Sequence, residues 1–208
     1  MSKIKHVTVF CSSSTRADAV FMETARHLGT LLGERGLTLI FGGGSVGLMG
    51  AIFEGAVAAG GYTVGITTRQ FVDLEQAHPN CDELVVLETM PERKKALITR
   101  GDAILVLPGG LGTYEEFFDA FVGRVLGHHR KPIGLVNTNG ALDTLVELIK
   151  QGIQNKFISH GVMDYLHIHD EPEKTLDAVL NHPEHMVDPS RMVPSGDWDT
   201  PDESGTSG

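Results

Sequence analysis

Cysteine is almost absent from this chain of 208 residues: only Cys11 and Cys81 occur, far apart in sequence and without metal-ligand spacing. Two such residues make neither a disulfide framework nor a thiolate zinc site, so both read as free thiols of a reducing compartment. Long hydrophobic runs are also missing. No stretch approaches the ~18 consecutive apolar residues of a membrane span, and the opening Met1-Ser2-Lys3-Ile4-Lys5-His6 has no apolar signal core. A cytoplasmic protein without a membrane partner is the expectation. Positive charge is in deficit as well: 17 Lys and Arg against 27 Asp and Glu leave a net charge of −10. That balance repels polyanions and argues against a nucleic-acid partner, although a small anion can still bind at a local positive spot. The histidine pairs His128-His129, His167 with His169, and His182 with His185 lack an accompanying ligand set. They read as solvated surface side chains, and neither a metal nor another cofactor is expected.

What the chain has in quantity is glycine, 25 residues, much of it clustered immediately after short apolar runs. Val7–Cys11, Leu37–Phe41, Thr63–Thr67, Leu84–Leu87, Ala103–Leu107, Ile133–Val136 and Tyr165–Ile168 read as strands. Helical spacing occupies Ala17–Arg35, Leu48–Ala59, Pro91–Thr99, Tyr114–Leu126, Leu142–Lys150 and Pro172–Leu180, with a polar stretch from Thr68 to Cys81 left over. Strand and helix alternate, and the strands are continuously apolar, the pattern of a parallel sheet covered on both faces. The expected fold is a doubly wound, Rossmann-like α/β sheet in one domain spanning 1–186. Residues 187–208, dominated by Pro, Ser, Gly, Asp and Thr, are expected to be a disordered tail.

Ligands of such sheets bind beyond the carboxyl ends of the strands, and both glycine clusters fall there. Gly42-Gly43-Gly44-Ser45-Val46-Gly47 and Pro108-Gly109-Gly110-Leu111-Gly112-Thr113 each join a strand to a helix. Free N–H groups and the positive helix end then face one point, so both loops read as anion cradles. The first also satisfies the G-x-G-x-x-G dinucleotide pattern. The following strand ends in Thr67-Thr68-Arg69 without the ribose-binding acid, which leaves an NADP-type oxidoreductase open. Pure turn and packing glycines are a further reading. In the second loop Thr113 and Glu116 match T-x-x-E, which is either a capping box or a carboxylate aimed at whatever is attached to a bound phosphate.

The run P-G-G-x-G-T-x-x-E, together with Met90-Pro91-Glu92-Arg93-Lys94 upstream, closely resembles the LONELY GUY family of cytokinin riboside 5′-monophosphate phosphoribohydrolases. The resemblance covers roughly Lys5 to Leu180 and includes the Cys-Ser-Ser loop, Gly42 to Gly50, and Lys131-Pro132-Ile133-Gly134-Leu135. It implies hydrolysis of the N-glycosidic bond of a nucleoside 5′-monophosphate, with Arg93 and Glu116 as the catalytic pair. It also implies substrate contacts from Met90, Lys94 and Glu75, and a homodimer. Family members have often carried the label "possible lysine decarboxylase", but nothing in the sequence signals a PLP-binding lysine. Pro91, where many members carry histidine, and Gly123-Arg124-Val125-Leu126-Gly127 depart from the family pattern.

In that setting Gly109, Gly110, Gly112 and Thr113 would hold the 5′-phosphate, with Gly43, Gly44 and Ser12 or Ser13 completing the pocket. Glu116 would stabilise the oxocarbenium-like transition state and activate water, while Arg93 would hold ribose or phosphate oxygens. A nucleotide carrier that binds without chemistry is the main alternative. Phe117, Phe118 and Phe121 form either a dimer face or a face packed on the sheet.

Overall fold

Seven short apolar runs become strands: β1 His6–Phe10, β2 Thr38–Phe41, β3 Thr63–Thr68, β4 Glu83–Leu87, β5 Ala103–Val106, β6 Ile133–Val136 and β7 Leu166–His169. The structure is a computed structural model and describes residues 4–74, 77–78 and 80–182. The tail expected over 187–208 and the candidate Glu75 lie outside the described residues. The strands form one sheet in the order β4-β3-β2-β1-β5-β6-β7, and every pair in it is parallel. Parallel strands need crossover helices, which explains the alternation in the sequence.

The helices are α1 Ala19–Glu34, α2 Gly47–Ala58, α3 Arg69–Asp73, α4 Met90–Arg100, α5 Leu111–Val125, α6 Asp143–Gln154 and α7 Pro172–Leu180. Because side chains alternate across a strand, the central strands β1, β2, β5 and β6 feed two cores. Val7, Val9, Leu39, Phe41 and Leu105 pack with α1, α2 and α7 on one face. Phe10, Ile40, Ile66, Ile104 and Val106 pack with α4, α5 and α6 on the other. Both faces of the central strands are covered, which is why β2, β5 and β6 are almost wholly apolar. Phe117 and Phe121 are buried in the second core, which settles their role as sheet-packing residues; Phe118 is half-buried.

The differences from the sequence reading are short elements. The stretch beginning at Thr68 contains α3, five residues with none buried, too short and too exposed for a helical period to register. Two 3-10 turns, Thr138–Gly140 and His160–Tyr165, were likewise not anticipated, and α6 runs on to Gln154.

The order places β1 and β5 side by side, with the chain winding outward in opposite directions from them. A crevice therefore opens between the loops that follow these two strands, the topological switch point where ligands of open α/β sheets bind. The helix α4 that borders it is held firmly at its far end. Thr8 Oγ1 donates to Leu97 O at 2.7 Å, and Lys131 Nζ donates to Ile98 O at 2.5 Å, Thr99 O at 2.9 Å and Gly101 O. These bonds satisfy carbonyls that the helix end would otherwise leave free.

Candidate active site

Helix α4 starts on a capping box. Thr89 Oγ1 accepts from the Glu92 N–H at 3.4 Å, Glu92 Oε2 accepts from the Thr89 N–H at 3.0 Å, and Pro91 occupies the first turn. With the start of the helix set this way, Arg93 and Leu97 share its inward face, and both are buried. Arg93 Nε donates to Ile66 O at 3.0 Å, Nη2 to Gly42 O at 3.4 Å, and Nη1 to Glu116 Oε1 at 2.8 Å. Three elements thus fix one guanidinium that is only 5% exposed. The carbonyl end of β3 and the glycine loop supply the bonds that make its burial tolerable. A Cβ at position 42 would lie 2.4 Å from Arg93 Nη2, so any larger residue there would have to displace the guanidinium.

Glu116 belongs to α5, whose N-cap is Gly110 and whose first turn receives no side-chain cap. Thr113 is therefore already the third helical residue, and the Thr113/Glu116 spacing is not a capping box. Its carboxylate, 7% exposed, turns instead to Arg93. Burial raises the Glu116 carboxyl above its ordinary range, and the neighbouring Arg93 charge only partly offsets that. Burial and the Glu116 charge push the Cys11 thiol up as well, so it stays neutral at the floor of the site. Both cysteines are free thiols.

The pair faces a cleft of about 420 Å³ built from five stretches of chain. Cys11 to Ser14 come from the loop after β1; Gly42, Gly44, Val46 and Met49 from the loop after β2 and from α2. Thr67, Phe71, Met90 and Arg93 form another wall, and Gly110 to Thr113, Glu115 and Glu116 the last. A depression of about 530 Å³ along α6 is larger, but a single helix lines it and no groups from other elements converge there.

Of the residues singled out from the sequence, Met90, Arg93, Gly44, Gly110, Gly112, Thr113, Glu116, Ser12 and Ser13 line this cleft. Gly43, Gly109 and Lys94 do not. Gly43 has φ +72° and its carbonyl accepts the His78 N–H at 2.6 Å, so it shapes the loop from behind. Gly109 leaves room for Thr113, whose Oγ1 would sit 2.1 Å from a Cβ there. Lys94 Nζ donates to Glu115 Oε1 at 2.9 Å and lies 3.5 Å from Asp119 Oδ2, tying α4 to α5. Phe71, Thr67 and Met49 were not read from the sequence; Phe71 sits on α3, where no periodicity could point to it.

The two glycine loops differ in what they leave free. At the start of α2 the N–H groups of Leu48 and Met49 already donate to Ser12 O, at 3.0 and 3.3 Å. That helix end is satisfied by the protein itself. In addition, the glycines follow β2 and not the first strand, which removes the basis for a dinucleotide fingerprint. At α5 the situation is the reverse. A Cβ added to Gly110 or Gly112 would meet nothing within 4 Å, so no packing within the chain demands glycine at either position. Open space in front of an uncapped helix N-terminus is what an incoming anion requires.

His128 is exposed as expected, whereas three other histidines are held by the protein. His129 Nε2 bonds to Ala120 O at 2.9 Å, and His182 bridges His167 at 2.8 Å and Arg124 at 3.2 Å; His185 lies outside the described residues. Among the described residues no three His, Cys, Asp or Glu side chains converge as metal ligands, and no helix is long and apolar enough to cross a membrane.

The family profile described as "Possible lysine decarboxylase" matches residues 49–179. The cytokinin riboside 5′-monophosphate phosphoribohydrolase of Mycobacterium tuberculosis is 40% identical over 172 residues, 83% of this chain and 91% of that one. The Arabidopsis thaliana enzyme of the same name, LOG2, is 35% identical over 158 residues, 76% of this chain and 74% of its own. Among solved structures, the molybdenum cofactor binding protein of Rippkaea orientalis superimposes with a TM-score of 0.64 at 22% identity, covering 86% of this chain and 97% of that one, a likeness of fold. The profile match and the extent of these identities establish that the chain belongs to the LONELY GUY family of cytokinin riboside 5′-monophosphate phosphoribohydrolases.

Proposed function

We propose that this protein hydrolyses the N-glycosidic bond of a nucleoside 5′-monophosphate to the free base and ribose 5-phosphate, with Glu116 and Arg93 as the catalytic residues. The observation that carries the reading is the buried Arg93–Glu116 pair, 2.8 Å apart, facing a cleft whose other wall is an uncapped helix N-terminus bordered by two unobstructed glycines. The names of the relatives agree with it.

The 5′-phosphate seats on the free N–H groups of the first turn of α5, where Gly110 and Gly112 permit close approach and Thr113 adds a hydroxyl. Glu116, one turn further along the same helix, then lies beside the sugar. As the C1′–N bond breaks, its electron pair leaves with the base and positive charge builds on the ribose, which the Glu116 carboxylate stabilises. A water oxygen bonds to C1′ while Glu116 takes the water's proton, which the departing base finally receives. The raised affinity of Glu116 for a proton makes it a stronger base than an ordinary glutamate. Arg93 holds that carboxylate in a single orientation and supplies fixed positive charge for ribose or phosphate oxygens.

Phosphate binding anchors the reacting end, so the free nucleoside should be a poor substrate in turnover as well as binding. The half-buried Phe118 and exposed Val122 on α5, with the exposed Leu126 that caps its C-terminus, leave an apolar stripe, which supports a homodimer through that helix. Two free thiols support a reducing, cytoplasmic setting. The test is chromatographic detection of base and ribose 5-phosphate from AMP and isopentenyladenosine monophosphate, with Glu116→Ala as control. Release by the wild type that disappears in the variant is the expected result; no release across a nucleotide panel would leave a binding protein.

A further inference from the structure

The side chains that line the cleft divide by chemistry. Hydroxyls from Ser12, Ser13, Ser14 and Thr113 gather near the start of α5, together with the open glycines. Arg93 and Glu116 bond to each other in between. The remaining wall is mostly apolar, with Val46, Met49, Phe71 and Met90. No Asn or Gln lines the cleft among the described residues, so none of these supplies a side-chain amide of the kind that reads the hydrogen-bonding edge of a base.

Phe71 stands out in this wall because it is the one aromatic side chain among the described lining residues. It is only half-buried, on a helix with no buried residue, so the sheet does not need it for packing. The Arg93 guanidinium carbon lies 6.0 Å from its ring centroid. The ring is therefore beside the catalytic pair, where a sugar held by phosphate at α5 would carry its leaving group.

We infer that Phe71 is the stacking platform for the base of the nucleotide. This rests on the hydrolase reading above and deepens it by assigning how the leaving group is recognised. A π-face accepts any nucleobase and rewards the larger one, so recognition by Phe71 favours purine over pyrimidine monophosphates. Stacking also holds the base steady while its bond to C1′ lengthens.

The test compares AMP with ribose 5-phosphate, which has the phosphate and sugar but no base. In Phe71→Ala, binding of AMP, measured by calorimetry in a Glu116→Gln background to slow turnover, should weaken by about ten- to a hundredfold. Binding of ribose 5-phosphate should stay within twofold, Phe71→Tyr should restore AMP binding, and the preference for AMP over CMP should flatten in the alanine variant. Unchanged AMP binding in Phe71→Ala would overturn the inference. So would an equal loss for AMP and ribose 5-phosphate, which would mean that Phe71 acts only by holding Arg93. Calorimetry reads the platform independently of catalysis, so a wild type that binds AMP through Phe71 yet releases no base would refute the hydrolase reading alone.

Discussion

Replacing Gly112 with alanine should make the protein more stable and less able to bind substrate. Gly112 is the second residue of α5, its backbone is not in the left-handed region, and a Cβ there meets no atom within 4 Å. Nothing in the folded chain opposes the methyl group. Restricting the unfolded chain should therefore stabilise the variant by about 0.5–1 kcal/mol, which for a chain of this size raises Tm by about 1–4 °C. Under the proposed function the methyl group would occupy space that the phosphate needs. Losing one charge-assisted hydrogen bond costs about 1.5–3 kcal/mol, which corresponds to a rise in KM of about ten- to 150-fold. Thermal unfolding of the free protein, steady-state kinetics with AMP, and inhibition by ribose 5-phosphate together read both effects. A variant with raised Tm whose KM and ribose 5-phosphate inhibition stay within twofold of wild type would refute the assignment of phosphate to the start of α5.

Other expectations follow from the pair. Glu116→Gln keeps an acceptor for Arg93 but cannot take a proton from water, so kcat should fall by about 10²–10⁴-fold with the fold intact by circular dichroism. Because burial raises the Glu116 carboxyl and the reaction uses its ionised form, kcat/KM should decline as pH drops through a range above the ordinary glutamate value of 4.5. In Arg93→Gln, which removes the charge that favours ionisation, any residual activity should show that limb displaced to still higher pH. Arg93→Ala strands a buried carboxylate and should cost about 3–5 kcal/mol in urea denaturation near neutral pH. Its folded-state carboxyl then titrates above the unfolded one, so the cost should grow as pH rises past the unfolded value and shrink toward acid pH, where Glu116 is protonated in both states. A destabilisation independent of pH would contradict the pairing.

Much of the architecture is local information. Val7–Cys11 and Ala103–Leu107 are continuously apolar because both faces of their strands are covered, and the alternation with amphipathic helices admits few arrangements other than a parallel doubly wound sheet. The site was partly legible for the same reason: a loop joining a strand to a helix carries its glycines contiguously, so Gly110, Gly112 and Thr113 could be read together, with Glu116 one turn on. Helix α3 escaped because five residues with no buried side chain carry no period, and Phe71 escaped with it.

What the linear pattern could not settle was which readings of the same residues are true. T-x-x-E at Thr113 and Glu116 fits a capping box equally well, and only the start of α5 at Leu111 rules that out. Lys94 follows Arg93 in sequence, yet one helical step of about 100° turns it toward Glu115 while Arg93 enters the core. Gly42 looks like any loop glycine until Arg93, 51 residues later, is found against it. The two glycine loops look equivalent in sequence, but the Ser12 carbonyl fills one helix end and leaves the other open. Secondary structure and burial depend on neighbours along the chain, so the sequence by itself determined the layers, the strands and the loops. The ion pair, the blocked cradle and the open one depend on the order in which the strands assemble, and contacts across that sheet decided which of the marked residues act together.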